Sequence, residues 1–231
     1  MIFNQFFDDV SCTYTYLLSS GKGREALIID PVLEKTSEYI FFLKKLDLKL
    51  VKVIDTHIHA DHISGMKELH KQTDCANIMG EKSPSEIINI KAKDNEKIKI
   101  ENIELISMYT PGHTDCSYSL LMKDRIFTGD TLLINGTGRT DFQNGNPIDQ
   151  YYSLFDRILK LPEKTFVYPA HDYKGNKVST IGQQKQNNPR LQVKSSNQYA
   201  ELMNSLKLDN PRMMDIAITA NIKGKILDRI K

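Results

Sequence analysis

Three histidines fall within six residues, His57, His59 and His62, and Asp61 stands among them in the run Thr56-His57-Ile58-His59-Ala60-Asp61-His62. A lone histidine is more often a hydrogen-bonded structural residue than a ligand, but packing does not explain this density of imidazole and carboxylate. Side chains two apart in an extended stretch point the same way. His57 and His59 can therefore converge on one point, with Asp61 and His62 turning around it. Further along, His113 sits in Thr110-Pro111-Gly112-His113-Thr114, and His171 in Tyr168-Pro169-Ala170-His171-Asp172. Asp130, in Thr128-Gly129-Asp130-Thr131, adds the carboxylate that a hard or borderline divalent metal needs beside imidazole. Such a set reads as a metal site, and the spacing leaves open whether it holds one ion or two.

The elements that must carry these residues can be read from periodicity. Thr13–Ser19 and Glu25–Asp30 read as strands joined by the turn Ser20-Gly21-Lys22-Gly23. Tyr39, Ile40, Phe42, Leu43 and Leu46 recur at helical spacing over residues 34–46. A strand over 50–55 runs into the histidine cluster, and a helix follows over about residues 63–72. Strands are expected at 76–79, 103–109, 117–122, 125–128 and 165–168, with helices at 149–160 and near 180–186. Strands clearly outnumber helices, which suggests two sheets covered by helices instead of a simple doubly wound sheet. Five of the six histidines fall just after strands, where loops on a rigid scaffold carry function; His70 alone lies on a helix face.

Composition narrows the classes. At 231 residues, 40% hydrophobic and 26% charged, the chain fits a single globular domain, 1–231, that needs no disulfide or structural metal to fold. Net charge is +2 with scattered lysines, so the basic stripe of a nucleic-acid binder is absent. No apolar run reaches the roughly 18 residues of a membrane span. The first ten residues carry two acids and no base, unlike a secretory or transit leader. Cys12, Cys75 and Cys116 are too few and too irregular for a disulfide framework, so a reducing compartment, the cytoplasm, is expected. Each cysteine is expected to be structural.

The order His-x-His-x-Asp-His, Gly-His-Thr, Thr-Gly-Asp and a late His resembles the metallo-β-lactamase superfamily. That resemblance implies an α/β fold, the αββα sandwich of two mixed β-sheets flanked by helices. The finer match is to the persulfide dioxygenases, without the rhodanese domain that some members append. It is carried by residues 11–18, Ile29-Asp30-Pro31-Val32, residues 56–65, Thr110–Asp115 and residues 128–142. The runs Tyr168–Tyr173, Asn188-Pro189-Arg190-Leu191 and Asp215–Asn221 extend it. Thr137 departs from members that have cysteine there, which puts a cysteine-dependent step in doubt. The resemblance implies one Fe(II) held by His59, His113 and Asp130, a facial triad with open positions for O2 and a thiolate. His57, Asp61, His62 and His171 are implied to line the site and orient ligands or water. Tyr173 and Arg190 are implied to contact glutathione. The substrates implied are glutathione persulfide and O2, with sulfite and glutathione as products. A homodimer is allowed for.

Two rivals remain at this point. A glutathione thioester hydrolase of the glyoxalase II type would use the same residues for two metals and a bridging hydroxide. That family usually adds a helical C-terminal domain, whereas only 60 residues follow His171. The other rival is a non-catalytic metal- or glutathione-binding protein, which would have no need of open coordination positions.

Overall fold

The computed structural model describes residues 1–211 and 213–225. One six-stranded sheet runs in the order β1-β2-β3-β4-β5-β6: Ile2–Asp8, Thr13–Ser19, Glu25–Ile29, Lys49–Ile54, Ala76–Gly80 and Ile90–Ala92. Its first three strands pair antiparallel and the last three join parallel, so the sheet is mixed. A second six-stranded sheet comprises β7 Lys97–Ile100, β8 Ile103–Tyr109, β9 Tyr118–Leu121, β10 Arg125–Gly129, β11 Phe166–Pro169 and β12 Ser179–Thr180. It too is mixed, with β10 parallel to β11 and antiparallel to β9. The helices are α1 Thr36–Lys45, α2 Met66–Thr73, α3 Pro147–Tyr152, α4 Ile181–Asn187, α5 Ser196–Asn204 and α6 Met214–Lys223.

The residues gather into two compact units. The first holds residues 1–92, 98–104 and those from Asn210 onward; the second holds 93–97 and 105–209. In the first, β2 is buried at every position, so its Leu17 and Leu18 stand among Thr, Tyr and Ser without the alternation of a half-exposed strand. Leu27, Ile28, Ile29 and Val53 on β3 and β4 are fully buried, and α1 contributes Tyr39 and Leu43. The parallel register Ile29↔Ile54 brings the ends of β3 and β4 level, which sets Asp30 beside Asp55 and Thr56. In the second unit Ile126, Leu132, Leu154, Ile158, Val167, Ile181 and Tyr199 form one core.

Strands 13–19 and 103–109 take the bounds that periodicity gives them. Other elements add to or modify the expectation. The expected helix over 149–160 is instead α3, then a π turn over Ser153–Arg157, then a 3-10 turn. Ser153 Oγ donates to the Pro111 carbonyl at 2.7 Å and Arg157 Nη1 to the Tyr109 carbonyl at 2.6 Å, so the altered pitch tethers this segment to the chain beside His113. β1, with three phenylalanines and weak alternation, and α5 and α6 carry no reading from sequence; α6 contains the Asp215–Asn221 stretch, of which the Asp215 side chain lies outside what is described.

Ile126 has no exposed surface. Ile126→Ala should therefore cost about 2–5 kcal/mol, the range for emptying a buried aliphatic site. Denaturant unfolding at constant m-value is the check.

Candidate metal centre

β4 delivers the chain into the loop Asp55–Ser64, where His57, His59 and His62 are all at least 96% buried. Their rings pack at a tilt, with centroids 4.2 Å apart for His57 and His59 and 4.3 Å for His59 and His62. Asp30 orders this loop. Its Oδ1 accepts from the Thr56 backbone N–H at 2.7 Å, and its Oδ2 from the Thr56 hydroxyl at 3.0 Å. Thr56 Oγ1 has thus spent its proton, so at 2.9 Å from His57 it accepts from Nδ1–H. That assigns the His57 tautomer: Nε2 carries the lone pair.

His59 is held the other way round. Its Nε2–H donates to Asp30 Oδ1 at 3.2 Å, and its ring forms a buried group of ligand type with Asp30 and Asp55. Sequence spacing treats His57 and His59 as interchangeable; the structure engages Nδ1 of one and Nε2 of the other. The electrostatics of this group follow from burial. Desolvation pushes the Asp55 carboxyl up to about 6. For His59, burial works against the charge, but the Asp30 carboxylate, its hydrogen bond and the Asp55 and Asp61 charges outweigh it, raising the imidazole to about 9. His62 Nδ1–H donates to Asp61 Oδ2 at 2.7 Å, and the Thr13 hydroxyl reaches the same oxygen at 3.1 Å.

In the second unit, β8 leads to His113 and β10 to Asp130. His113 Nδ1–H donates to the Arg139 carbonyl at 2.7 Å, leaving the lone pair on Nε2. That nitrogen lies 3.6 Å from Asp130 Oδ2. An imidazole nitrogen with a carboxylate oxygen at this separation is a good donor pair for a divalent ion. Asp130 Oδ1 accepts from His171 Nδ1–H at 2.6 Å, so its two oxygens divide the work. Gly138 N–H donates to the Asp130 carbonyl at 2.8 Å. A Cβ at Gly138 would come 2.2 Å from that carbonyl and 2.8 Å from His113 Nδ1, so only glycine permits the approach.

Tyr173 is 70% exposed, and its ring lies parallel to that of His171 at 6.2 Å. The half-buried Arg190 gives Nη1 to the Thr137 carbonyl, so at least part of its role is to hold that loop. Thr137 is buried and its hydroxyl accepts from Tyr199 at 2.9 Å. Cys75 and Cys116 are buried and Cys12 half-buried, and no pair is bonded. His70 Nδ1–H donates to the Cys75 carbonyl at 2.6 Å, a structural bond. Sequence reasoning passed over Asp30, Asp55, Gly138 and the Arg139 carbonyl as parts of the site. Asp30-Pro31, an acid closing a strand level with the histidine loop, was the available signal.

Residues 9–171 match the Metallo-beta-lactamase superfamily. The human persulfide dioxygenase ETHE1, named as mitochondrial, is 38% identical over 226 residues, 96% of this chain and 88% of the human one. The crystal structure of ETHE1 from Myxococcus xanthus aligns with a TM-score of 0.93 at 42% identity, covering 96% of this chain and 98% of that one. The hydroxyacylglutathione hydrolase of Dictyostelium discoideum is more distant, 34% identical over 170 residues, 69% of this chain and 62% of that protein.

Two expectations follow from this geometry. Gly138→Ala should lose bound divalent metal while the chain stays folded, as elemental analysis and circular dichroism would show together. His59 is raised from 6.5 to about 9 on folding, so its contribution to stability is complete below 6.5 and disappears as pH rises through 9. Unfolding of the metal-free chain should become easier from pH 7 to 10, and less steeply so in Asp30→Asn.

Proposed function

Since the chain belongs to the metallo-β-lactamase superfamily and, within it, to the persulfide dioxygenases, we propose that it oxidises glutathione persulfide with O2 at a single Fe(II). The observation that carries the metal part is the His113 Nε2 and Asp130 Oδ2 pair, two lone-pair donors 3.6 Å apart with both remaining polar atoms engaged elsewhere. We propose His57 as the third ligand, in place of His59. Like His113, His57 has Nδ1 bonded to an oxygen and Nε2 as the donor. His59, tied through Nε2 to Asp30, is an orienting residue in this reading, together with Asp61, His62 and His171.

Iron in such a site supplies the electrons that activate O2 and a Lewis-acid position for a thiolate. Both oxygen atoms of O2 and the oxygen of one water go to the terminal sulfur. The S–S bond breaks, and sulfite and glutathione leave. The chain's own residues position these reactants, which is the larger share of what a protein adds here. Asp61 and His62, locked together and to Thr13, are suited to order the water. Tyr173 offers an exposed ring face beside His171 for the glutathione moiety. Arg190 is the proposed partner for a glutathione carboxylate, since a guanidinium meets a carboxylate with paired N–H donors. Its recorded bonds go out through Nη1.

No helix among the described residues is long and apolar enough to cross a membrane. The human relative's name places that protein in mitochondria; for this chain a cytoplasmic setting is proposed, in keeping with three cysteines too few and too irregular for a disulfide framework.

Anaerobically purified protein should hold close to one iron per chain, and His57→Ala should lose it more completely than His59→Ala. The enzyme should consume O2 with glutathione persulfide, release sulfite, and barely hydrolyse S-lactoylglutathione. Two zinc ions per chain with thioester hydrolysis would move it to the hydrolases. Arg190→Ala should raise KM about tenfold with iron retained, a loss of ~1.5–3 kcal/mol for a hydrogen bond to a charged group. Arg190→Lys should recover part of that loss; wild-type kinetics in Arg190→Ala would place glutathione elsewhere.

A further inference from the structure

Helix α6 carries one side chain that bonds three times to the histidine loop of its own unit. Asn221 Oδ1 accepts from the Ser64 N–H at 2.8 Å. Its Nδ2 donates to the His59 carbonyl at 2.9 Å and to the His62 carbonyl at 3.0 Å. The amide therefore spans the loop, closing both the turn that bears the histidines and the entry to α2. Asn221 is 5% exposed, and each of these bonds is shielded from water, where such bonds are strongest.

The rest of α6 is shaped to bring that amide in. Ala217 and Ala220 are buried against Ile63, the residue that follows His62, so small side chains allow the helix to approach closely. The Asn221 carbonyl accepts from the Ser85 hydroxyl at 2.8 Å, and the Ile222 carbonyl from the Glu86 N–H at 2.7 Å. Lys67 Nζ donates to the Gly224 carbonyl at 2.6 Å. Docking of the helix thus has its own bonds, separate from those of the Asn221 amide.

We propose that Asn221 is a positioning residue for the metal site, setting the spacing of the His57–His62 loop through its side-chain amide. The proposal rests on the preceding reading only in that this loop supplies a metal ligand; it does not depend on iron or on the dioxygenase reaction. Only asparagine or glutamine offers an acceptor and two donors on one planar group. Aspartate, the same size, would set an oxygen against two carbonyl oxygens.

The test is made on the full chain loaded with Co(II), following transfer of the metal to a chelator and the visible ligand-field bands. Asn221→Ala should release cobalt at least tenfold faster and shift those bands. Ser85→Ala, which removes a docking bond of α6 and leaves the Asn221 amide in place, should stay within twofold of wild type with unchanged bands. If Asn221→Ala fails to fold, Asn221→Asp, which keeps the acceptor for Ser64, should show the same faster release. Wild-type release and bands in the folded variant would overturn the proposal. So would equal effects from Ser85→Ala, or failure of both Asn221 variants to fold, since Asn221 would then serve only docking or folding. An absence of iron or O2 uptake in the wild type would remove the dioxygenase reading and leave the cobalt comparison standing.

Discussion

The histidine loop depends on one buried carboxylate. Asp30 closes β3 at a positive φ of 51°, one residue before Pro31, level with the end of the parallel strand β4. It takes the Thr56 amide, the Thr56 hydroxyl and the His59 ring. The consequence travels one bond further. Because the threonine proton goes to Asp30, the threonine oxygen must accept, and His57 must carry its proton on Nδ1. A single carboxylate therefore sets the tautomer of His57 and holds the Nε2–H of His59, two imidazoles whose spacing in sequence makes them look equivalent. The ring orientations of the loop are thus set by the protein's own hydrogen bonds.

Such order is costly. Asp30 and Asp55 are 1% and 4% exposed, and carboxylates so far from water are tolerated only beside opposite charge or strong donors. Burial raises Asp55 to about 6, while the surrounding carboxylates draw a proton onto His59. In the second unit the opposition is between His113 Nε2 and Asp130 Oδ2, with the alternative of turning either away blocked by the Arg139 carbonyl and His171. Fully buried residues of β2, β3 and β4, and the core around Ile126 and Val167, supply the stability against which these conflicts are held. Any ion bound by such buried donors would couple its affinity to the stability of the fold that orders them.

The sequence made the donor types and their strand-end placement legible, since histidines in loops after apolar runs are visible one residue at a time. Strands over 13–19 and 103–109 were legible for the same reason: their β-branched and aromatic content is local. What could not be read was non-local. Asn221 lies 159 residues from His62, and nothing in the order of residues ties its amide to that carbonyl. The different bonding of His57 and His59 turns on a hydroxyl proton, which spacing does not encode. The helix expected over 149–160 is present, but its change of pitch after Tyr152 goes with bonds from Ser153 and Arg157 to the chain around Pro111, which are non-local.

Thr137 shows how a departure from a family pattern can be absorbed. Its hydroxyl accepts from Tyr199, whose own oxygen lies 2.7 Å from Gln150 Oε1, and its carbonyl takes Arg190. The Tyr199 proton serves both contacts, while the Thr137 proton is directed at the Met203 sulfur at 3.6 Å. A thiol is a weaker acceptor and donor than this hydroxyl, so threonine makes the junction firmer than cysteine would. The junction stands immediately before Gly138 and Arg139, the two residues whose backbone holds Asp130 and His113. Rigidity at Thr137 is therefore passed along the chain to His113 and Asp130. Threonine there brings no reactive sulfur and firms the chain that leads to Gly138 and Arg139.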